Sequence, residues 1–125
     1  MSETTRDKGR AAEAAAARWL EGQGFRVLAR NHATRRGEVD LVCEEHGTLC
    51  FVEVRSRTSA AFGSPALTVD ARKAQRVVGA ATDWAVRHGG LERAIRFDVV
   101  AVDLSGPSAR FELIRAAFDA SGSCW

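Results

Sequence analysis

Two acidic residues, Asp40 and Glu53, stand inside apolar runs that are typical of buried β-strands. The runs are "EVDLVC" and "LCFVEVRSR", and the "EEHGT" between them supplies a turn glycine, Gly47. A carboxylate is costly to bury unless it is paired, hydrogen-bonded or bound to a metal. The two runs therefore predict a hairpin whose acids have a chemical task.

The register of this hairpin decides whether the acids meet. If His46 and Gly47 form a two-residue turn, Asp40 lies directly opposite Glu53. Directly opposed residues have Cβ atoms about 4.5–5.5 Å apart, and two carboxylates that close repel each other unless a cation or a shared proton intervenes. The spacing thus predicts a cation site. Because alternate residues share a face, the register also predicts one face that carries Glu38, Asp40, Val42, Phe51, Glu53 and Arg55.

The same register has consequences outside the acid pair. Cys43 and Cys50 face each other on the opposite side of the hairpin, at a separation that a disulfide could span. Glu38 lies across from Arg55, which favours a salt bridge of Glu38 with Arg55 or Arg57 over a role as a metal ligand. A role for Glu38 in positioning water stays open. A longer turn or a bulge would shift all of these partners.

Composition sets broad bounds on the protein. The chain has 125 residues, of which 46% are apolar and 27% charged, and this fits a single domain over residues 1–125 with polar tails at about 1–6 and 119–125. Eighteen basic against 16 acidic residues do not mark a nucleic-acid binder by bulk charge. The polar first residues predict no signal peptide, no apolar run approaches a membrane span, and a cytoplasmic protein is expected. Three cysteines without CxxC spacing and three scattered histidines disfavour a zinc site.

The remaining elements must position the acids. Helical spacing of apolar residues predicts helices over about 6–23 and 69–88. The segment "FRVLARN" reads as a strand before the Arg-rich turn "HATRRG", and "IRFDVVAVDL" and "RFELIRAAF" read as two further strands. The order helix, three strands, helix, two strands predicts an α/β fold with one mixed sheet of about five strands flanked by two main helices.

These residues resemble a known signature. Asp40, a spacer of 12 residues, and "EVR" at positions 53–55 look like the PD-(D/E)xK nuclease motif. Ordered pieces over roughly residues 9–103, among them "GEVDLV", "FVEVRSR", the "FG.P" of the loop, "KAQRV" and "RFDVVAV", resemble the YraN-type family of uncharacterised bacterial proteins, which are similar to archaeal Holliday junction resolvases. The resemblance implies a restriction-endonuclease-like core. It also implies that Asp40, Glu53 and the carbonyl of Val54 bind metal and that Glu13 is an additional helix acid of the site.

The chemistry of the acids agrees with that implication. A divalent cation stabilises charge on a phosphoryl group and acidifies its bound water. Hard carboxylate oxygens select Mg²⁺ or Mn²⁺, and Mg²⁺ commonly takes one or two carboxylates together with water and phosphate. Glu13 could hold a metal-bound water. The expected cofactor is therefore Mg²⁺ or Mn²⁺.

One residue departs from the signature. The last position is normally lysine, and here it is Arg55, whose guanidinium cannot act as a general base. Three alternatives stay open: Arg55 acts by electrostatics alone, Lys73 reaches the site from the second helix, or catalysis is lost. Phosphate contacts are predicted for the clustered basic residues, which could also be ordinary solvated side chains: Arg35, Arg36, Arg57, Arg72, Lys73 and Arg76.

Three classes of function follow from these observations. The first is a Mg²⁺-dependent endodeoxyribonuclease, similar to Holliday junction resolvases, which predicts a homodimer because a junction is cut symmetrically on two strands. The second is a nucleic-acid-binding module that does not cut, most simply a DNA binder. The third is a protein-interaction scaffold without a nucleic-acid partner, which the near-neutral net charge permits.

Overall fold

The computed structural model describes residues 5–63 and 69–121. The helices are α1 (Thr5–Gly22) and α2 (Ala71–Arg87), and the strands are β1 (Arg26–Thr34), β2 (Gly37–Glu45), β3 (Thr48–Ser56), β4 (Ile95–Asp103) and β5 (Arg110–Phe118). Single turns of 3₁₀-helix lie at Ser59–Ala61 and Gly90–Glu92. The proline of the predicted "FG.P" loop, Cys124 and the ends of both polar tails lie outside the described residues.

All five strands form one sheet in chain order. β1, β2 and β3 are an antiparallel meander, β3 and β4 run parallel, and β4 and β5 form an antiparallel pair. A parallel pair needs a crossover connection, and α2 lies in the segment that joins β3 to β4. The predicted α/β class with a mixed sheet of five strands and two main helices is confirmed.

The helices cover opposite faces of the sheet and create two apolar layers. α1 packs mainly on β3, and α2 packs mainly on β2. The α1 layer holds small helix residues against the sheet, including Ala12, Ala16, Ala17, Leu20, Leu41, Cys43, Cys50 and Val52. The α2 layer is richer in large side chains, including Val39, Val42, Phe51, Val77, Trp84, Phe97 and Phe118. Alanines on the inner face of α1 let that helix approach the sheet closely.

The bounds of α2 have local causes. Asp70 caps the helix, because its side chain accepts a hydrogen bond of 2.8 Å from the backbone amide of Lys73. At the other end, Gly89 adopts a left-handed conformation with φ 67°, which ends helices at low cost. Buried positions along the helix recur at helical spacing: Ala74, Val77, Ala80, Ala81, Trp84 and Ala85. The cap fixes where the first turn of α2, and with it Lys73, meets the sheet.

The prediction for β1 was wrong at its end. The predicted turn began at His32, but the strand continues to Thr34, which pairs with Gly37. Continued pairing with β2 satisfies the backbone groups of 32–34 that a turn would have exposed, so the turn narrows to Arg35 and Arg36. No helix within the described residues has the length and apolarity to cross a membrane.

Candidate metal centre

The β2–β3 hairpin has the predicted register over most of its length. Leu41 pairs with Val52 and Cys43 with Cys50. The ladder of backbone pairs ends at Leu41 and Val52. Beyond it, Asp40 Oδ2 accepts a hydrogen bond of 2.8 Å from the backbone amide of Val54. The carboxylate of Asp40 thus joins β2 to β3 beside Glu53, at the end of the paired segment.

The alternation of β2 changes phase at Asp40. Val39 and Val42 both pack in the α2 layer, although strict alternation places residues three apart on opposite faces. The neighbouring β1–β2 pairs put Asn31 across from Asp40, and Asn31 has a left-handed φ of 53°. His32, the next residue, bonds to α2. The irregular pair Asn31–Asp40 lets the Asp40 carboxylate contact acids on both sides of the sheet.

This phase change contradicts the predicted single face. The face was expected to carry Glu38, Asp40, Val42, Phe51, Glu53 and Arg55 together. Instead, Val42 and Phe51 pack under α2, whereas Glu38 lies beside Glu13 of α1. Glu38 and Arg55 are not among the paired residues of β2 and β3, because that ladder ends at Leu41 and Val52.

On the side of α1, three carboxylates form a compact group. Glu13, Glu38 and Asp40 offer ligand oxygens that all lie within 4.8 Å of one another. Partial burial, followed by the negative charge of Asp40 and then that of Glu38, raises the pKa of Glu13, and the neighbouring Asn31 amide offsets part of the rise. These three acids are suited by number and spacing to hold one hard cation.

On the side of α2, Glu53 is almost fully buried. Only 5% of the residue is exposed. Its Oε1 lies 3.4 Å from Nζ of Lys73, and its Oε2 is buried without a hydrogen-bond partner among residues 5–63 and 69–121. Burial first, and the charge of Asp40 second, raise the pKa of Glu53 to about 8, against the opposing effect of Lys73. A buried acid oxygen without a partner is available as a ligand for a cation.

The arginines at the end of β3 and just beyond it differ in their surroundings. Arg55 is half-buried, and its Nε atom is buried without a hydrogen-bond partner in the described part of the chain. Arg57 directly follows the last residue of β3 and lines a groove of about 410 Å³, together with Ala11 of α1 and Asp103 of β4. Burial and then the charge of Arg55 lower the pKa of Arg57. Arg55 follows Glu53 by two positions and so shares its face of β3.

Most of the predicted phosphate-binding residues lie around α2. The turn that carries Arg35 and Arg36 packs closely against this helix at two glycines. A Cβ at Gly79 would lie 2.7 Å from the Cβ of Arg36, and a Cβ at Gly37 would collide with the backbone of Arg76. The helix itself carries the exposed Arg72 and Arg76 and the half-exposed Lys73. Arg57 stands apart from this group, by the groove on the side of α1.

Sequence reasoning underestimated two residues of the centre. Glu38 was interpreted as a salt-bridge partner and Asn31 was not considered, yet Glu38 belongs to the acid group and Asn31 affects Glu13. Glu38 and Asp40 stand two apart in "GEVD", which is a signal that both could serve one site. Asn31 gives no such signal, because its place depends on the β1–β2 register.

Comparisons with known proteins match most of the chain. The model of the uncharacterised protein family UPF0102 matches residues 12–102. A UPF0102 protein of Anaeromyxobacter dehalogenans (strain 2CP-C) is 62% identical over 114 residues, which cover 91% of this chain and 85% of that protein. A UPF0102 protein of Myxococcus xanthus (strain DK1622) is 45% identical over 115 residues, covering 92% and 91% of the two chains. The matched region contains Glu13, Asp40, Glu53 and Lys73.

Proposed function

The chain belongs to the uncharacterised protein family UPF0102, and from this membership and its acid group we propose that it is a divalent-metal-dependent nuclease acting on DNA. One observation carries the proposal: Glu53 is buried next to Asp40 with an oxygen that has no partner among the described residues. An arrangement of this kind costs stability unless a cation offsets it. Such a cost is commonly accepted at functional sites.

The residues that would hold Mg²⁺ or Mn²⁺ are Asp40 and Glu53, with the Val54 carbonyl as a further oxygen ligand. When bound, the cation would supply Lewis acidity at the phosphoryl oxygens and an acidified water. Asp40 is oriented for this task by the Val54 amide, which fixes one of its two oxygens. Glu13 and Glu38 add acid oxygens on the side of α1, where they can orient water around the cation.

The basic residues around α2 suit a polyanionic substrate. Arg35, Arg36, Arg72 and Arg76 are exposed, and they lie on the helix and the turn that flank Lys73 and Glu53. Guanidinium groups bind phosphate oxygens in pairs and bring the backbone of a nucleic acid towards the acids. DNA is the proposed substrate on the strength of the resemblance to resolvases, which also motivates the proposal of a homodimer.

A second candidate function is favoured by one residue. Arg55 stands where the signature has lysine, and its guanidinium cannot accept a proton from water. If Lys73, whose amine contacts Glu53, does not take over the role of that lysine, the protein would bind DNA through its basic residues without cutting it. The salt dependence of binding would then be retained while cleavage is absent.

Cleavage and metal binding test the proposal separately. Purified protein is incubated with four-way junction, flap and single-stranded DNA in Mg²⁺ or Mn²⁺, alongside Asp40→Asn, Glu53→Gln and, as a matched control on a surface acid, Glu92→Gln. We expect the wild type and the control to cut and both site variants to lose cutting, while titration calorimetry shows that the site variants also lose metal. Cutting that survives in Asp40→Asn and Glu53→Gln would reveal a contaminant and remove the nuclease proposal. Salt-dependent binding without cutting in either metal would establish the second candidate.

A further inference from the structure

We propose that Lys73 of α2 supplies the amine that position 55 of the strand lacks, and that Arg55 is left to bind phosphate. This inference rests on the proposed nuclease function and assigns roles within its site. It starts from a distance: Lys73 Nζ lies 3.4 Å from Glu53 Oε1, so an amine of α2 contacts a carboxylate of the centre.

The placement of Lys73 is fixed by the fold. Its backbone amide donates to the Asp70 cap, so it stands in the first turn of α2. The adjacent Ala74 is buried in the α2 layer. Lys73 itself keeps 43% of its side chain exposed. The amine therefore meets both the buried acid and the solvent, from which a phosphodiester and a water molecule would arrive.

Arg55 and Lys73 differ in the chemistry that they can perform. Both hold a positive charge, but the ammonium of Lys73 is a compact point charge with three donors, whereas the planar guanidinium of Arg55 binds phosphate oxygens in pairs. In hydrolysis the water oxygen forms a bond to phosphorus and the bond from phosphorus to the leaving oxygen breaks, while water's proton passes to solvent and the leaving oxygen gains one from solvent. Lys73, in contact with Glu53, is suited to orient that water by donating a hydrogen bond to its oxygen.

Arg55 has a separate task. Its buried Nε has no partner among the described residues, and it lies on the same side of β3 as Glu53. A buried guanidinium nitrogen without an acceptor fits an anionic ligand, and the phosphate of the substrate is the anion that the proposed function brings. Lys73 and Arg55 would thus share the two roles, contact with water and contact with phosphate, that a single lysine at position 55 would combine.

Relocating the amine tests this division. Lys73→Met should lower the cleavage rate about 10²–10³-fold, as expected for loss of one positioned charged donor, whereas Arg87→Met, a basic residue near the far end of the same helix, should leave it unchanged. The double variant Arg55→Lys/Lys73→Met returns the amine to the strand and should regain at least about tenfold of the lost rate. Lys73→Arg keeps the charge but not the compact ammonium and should recover only part of the rate. Equal cleavage by wild type and Lys73→Met would overturn the inference.

A second readout does not depend on cleavage. The chain has two lysines, Lys8 and Lys73, so reductive ¹³C-methylation gives two lysine resonances, which Lys73→Arg assigns. Mg²⁺ should shift the Lys73 resonance in the wild type and not in Glu53→Gln. If the wild type cuts no DNA, the nuclease proposal fails, and this resonance alone decides whether Lys73 serves the cation site. A Lys73 resonance that ignores Mg²⁺, in protein that calorimetry shows to bind it, would refute the inference.

Discussion

Replacing Glu53 by glutamine should stabilise the metal-free protein while removing its response to Mg²⁺. The substitution keeps the shape of the side chain and removes a buried charge that lies near Asp40 and has one oxygen without a partner in the described chain. The amide keeps a polar atom at this place but carries no charge, so the substitution removes the cost of ionising a buried acid beside Asp40, which is about 1–3 kcal/mol. We therefore expect the free energy of unfolding of the metal-free variant at pH 8 to exceed that of the wild type by about 1–3 kcal/mol.

The pH dependence follows from the direction of the pKa change. The pKa of Glu53 is raised in the folded protein, from an ordinary value of 4.5 to about 8, so the folded state binds more protons than the unfolded state between these values. Its contribution to stability is fully present below pH 4.5 and is lost as pH rises through about 8. The difference between variant and wild type should accordingly grow across this window.

Urea unfolding in EDTA and in Mg²⁺ measures both effects. Mg²⁺ at about 1,000 times its Kd should add about 4.1 kcal/mol to the wild type and nothing to Glu53→Gln, so the order of stability reverses when metal is added. Glu92→Gln, which changes an exposed acid, should follow the wild type in both buffers. A metal-free Glu53→Gln protein that is less stable than the wild type at pH 8 would refute the claim that this carboxylate is held at a cost.

Three further predictions concern other parts of the fold. Hydrogen bonds from Arg115 are the main reason why the pKa of Glu45 is lowered to about 2. The contribution of Glu45 to stability is therefore present above pH 4.5 and lost as pH falls towards 2. In urea unfolding, Glu45→Gln should lower the free energy of unfolding by about 1.5–3 kcal/mol at pH 7, with no difference from the wild type near pH 2. Gly79→Ala should lower stability by about 1–3 kcal/mol in thermal unfolding, because the added methyl meets the β1–β2 turn, and a gain from better helix propensity would contradict this packing. Burial raises the thiol pKa of Cys43 to about 12 and of Cys50 to about 11, so neither should react with a thiol reagent at pH 8 until urea unfolds the protein.

The register of the hairpin could be predicted because its turn is specified locally. His46 and Gly47 both have positive φ, 49° and 83°, the conformation of the two-residue turns that match the twist of a hairpin. Once the turn is fixed, every pair up to Leu41 and Val52 follows by counting. The element order was equally accessible, since the helical and strand periods change clearly along the chain.

The environment of Asp40 could not be predicted from the hairpin alone. Period-two counting assumes a regular strand, and β2 is irregular where Asn31 of the neighbouring strand is left-handed. That Lys73 reaches the centre from the second helix was one of the alternatives left open by the sequence, and its amine does contact Glu53. The choice depended on how α2 crosses the sheet, which no local pattern records. The failure at Asp40 concerns the centre itself, and this agrees with the expectation that local rules break where a protein positions reactive groups.

Glu45 and Glu53 are two buried glutamates of one sheet whose surroundings change the pKa in opposite directions. Glu45 is 7% exposed and accepts hydrogen bonds from Arg96 and Arg115, which satisfy both of its oxygens. Glu53 is 5% exposed, yet it has one lysine contact and an oxygen without a described partner. Burial is nearly equal, so burial alone cannot explain why the pKa falls in the first case and rises in the second. The difference lies in how the negative charge is neutralised. Two guanidinium groups neutralise Glu45 within the protein, whereas the negative charge of the acids around Glu53 and Asp40 exceeds the positive charge that Lys73 supplies. The proposed divalent cation has the charge and the preference for oxygen ligands that would neutralise the excess.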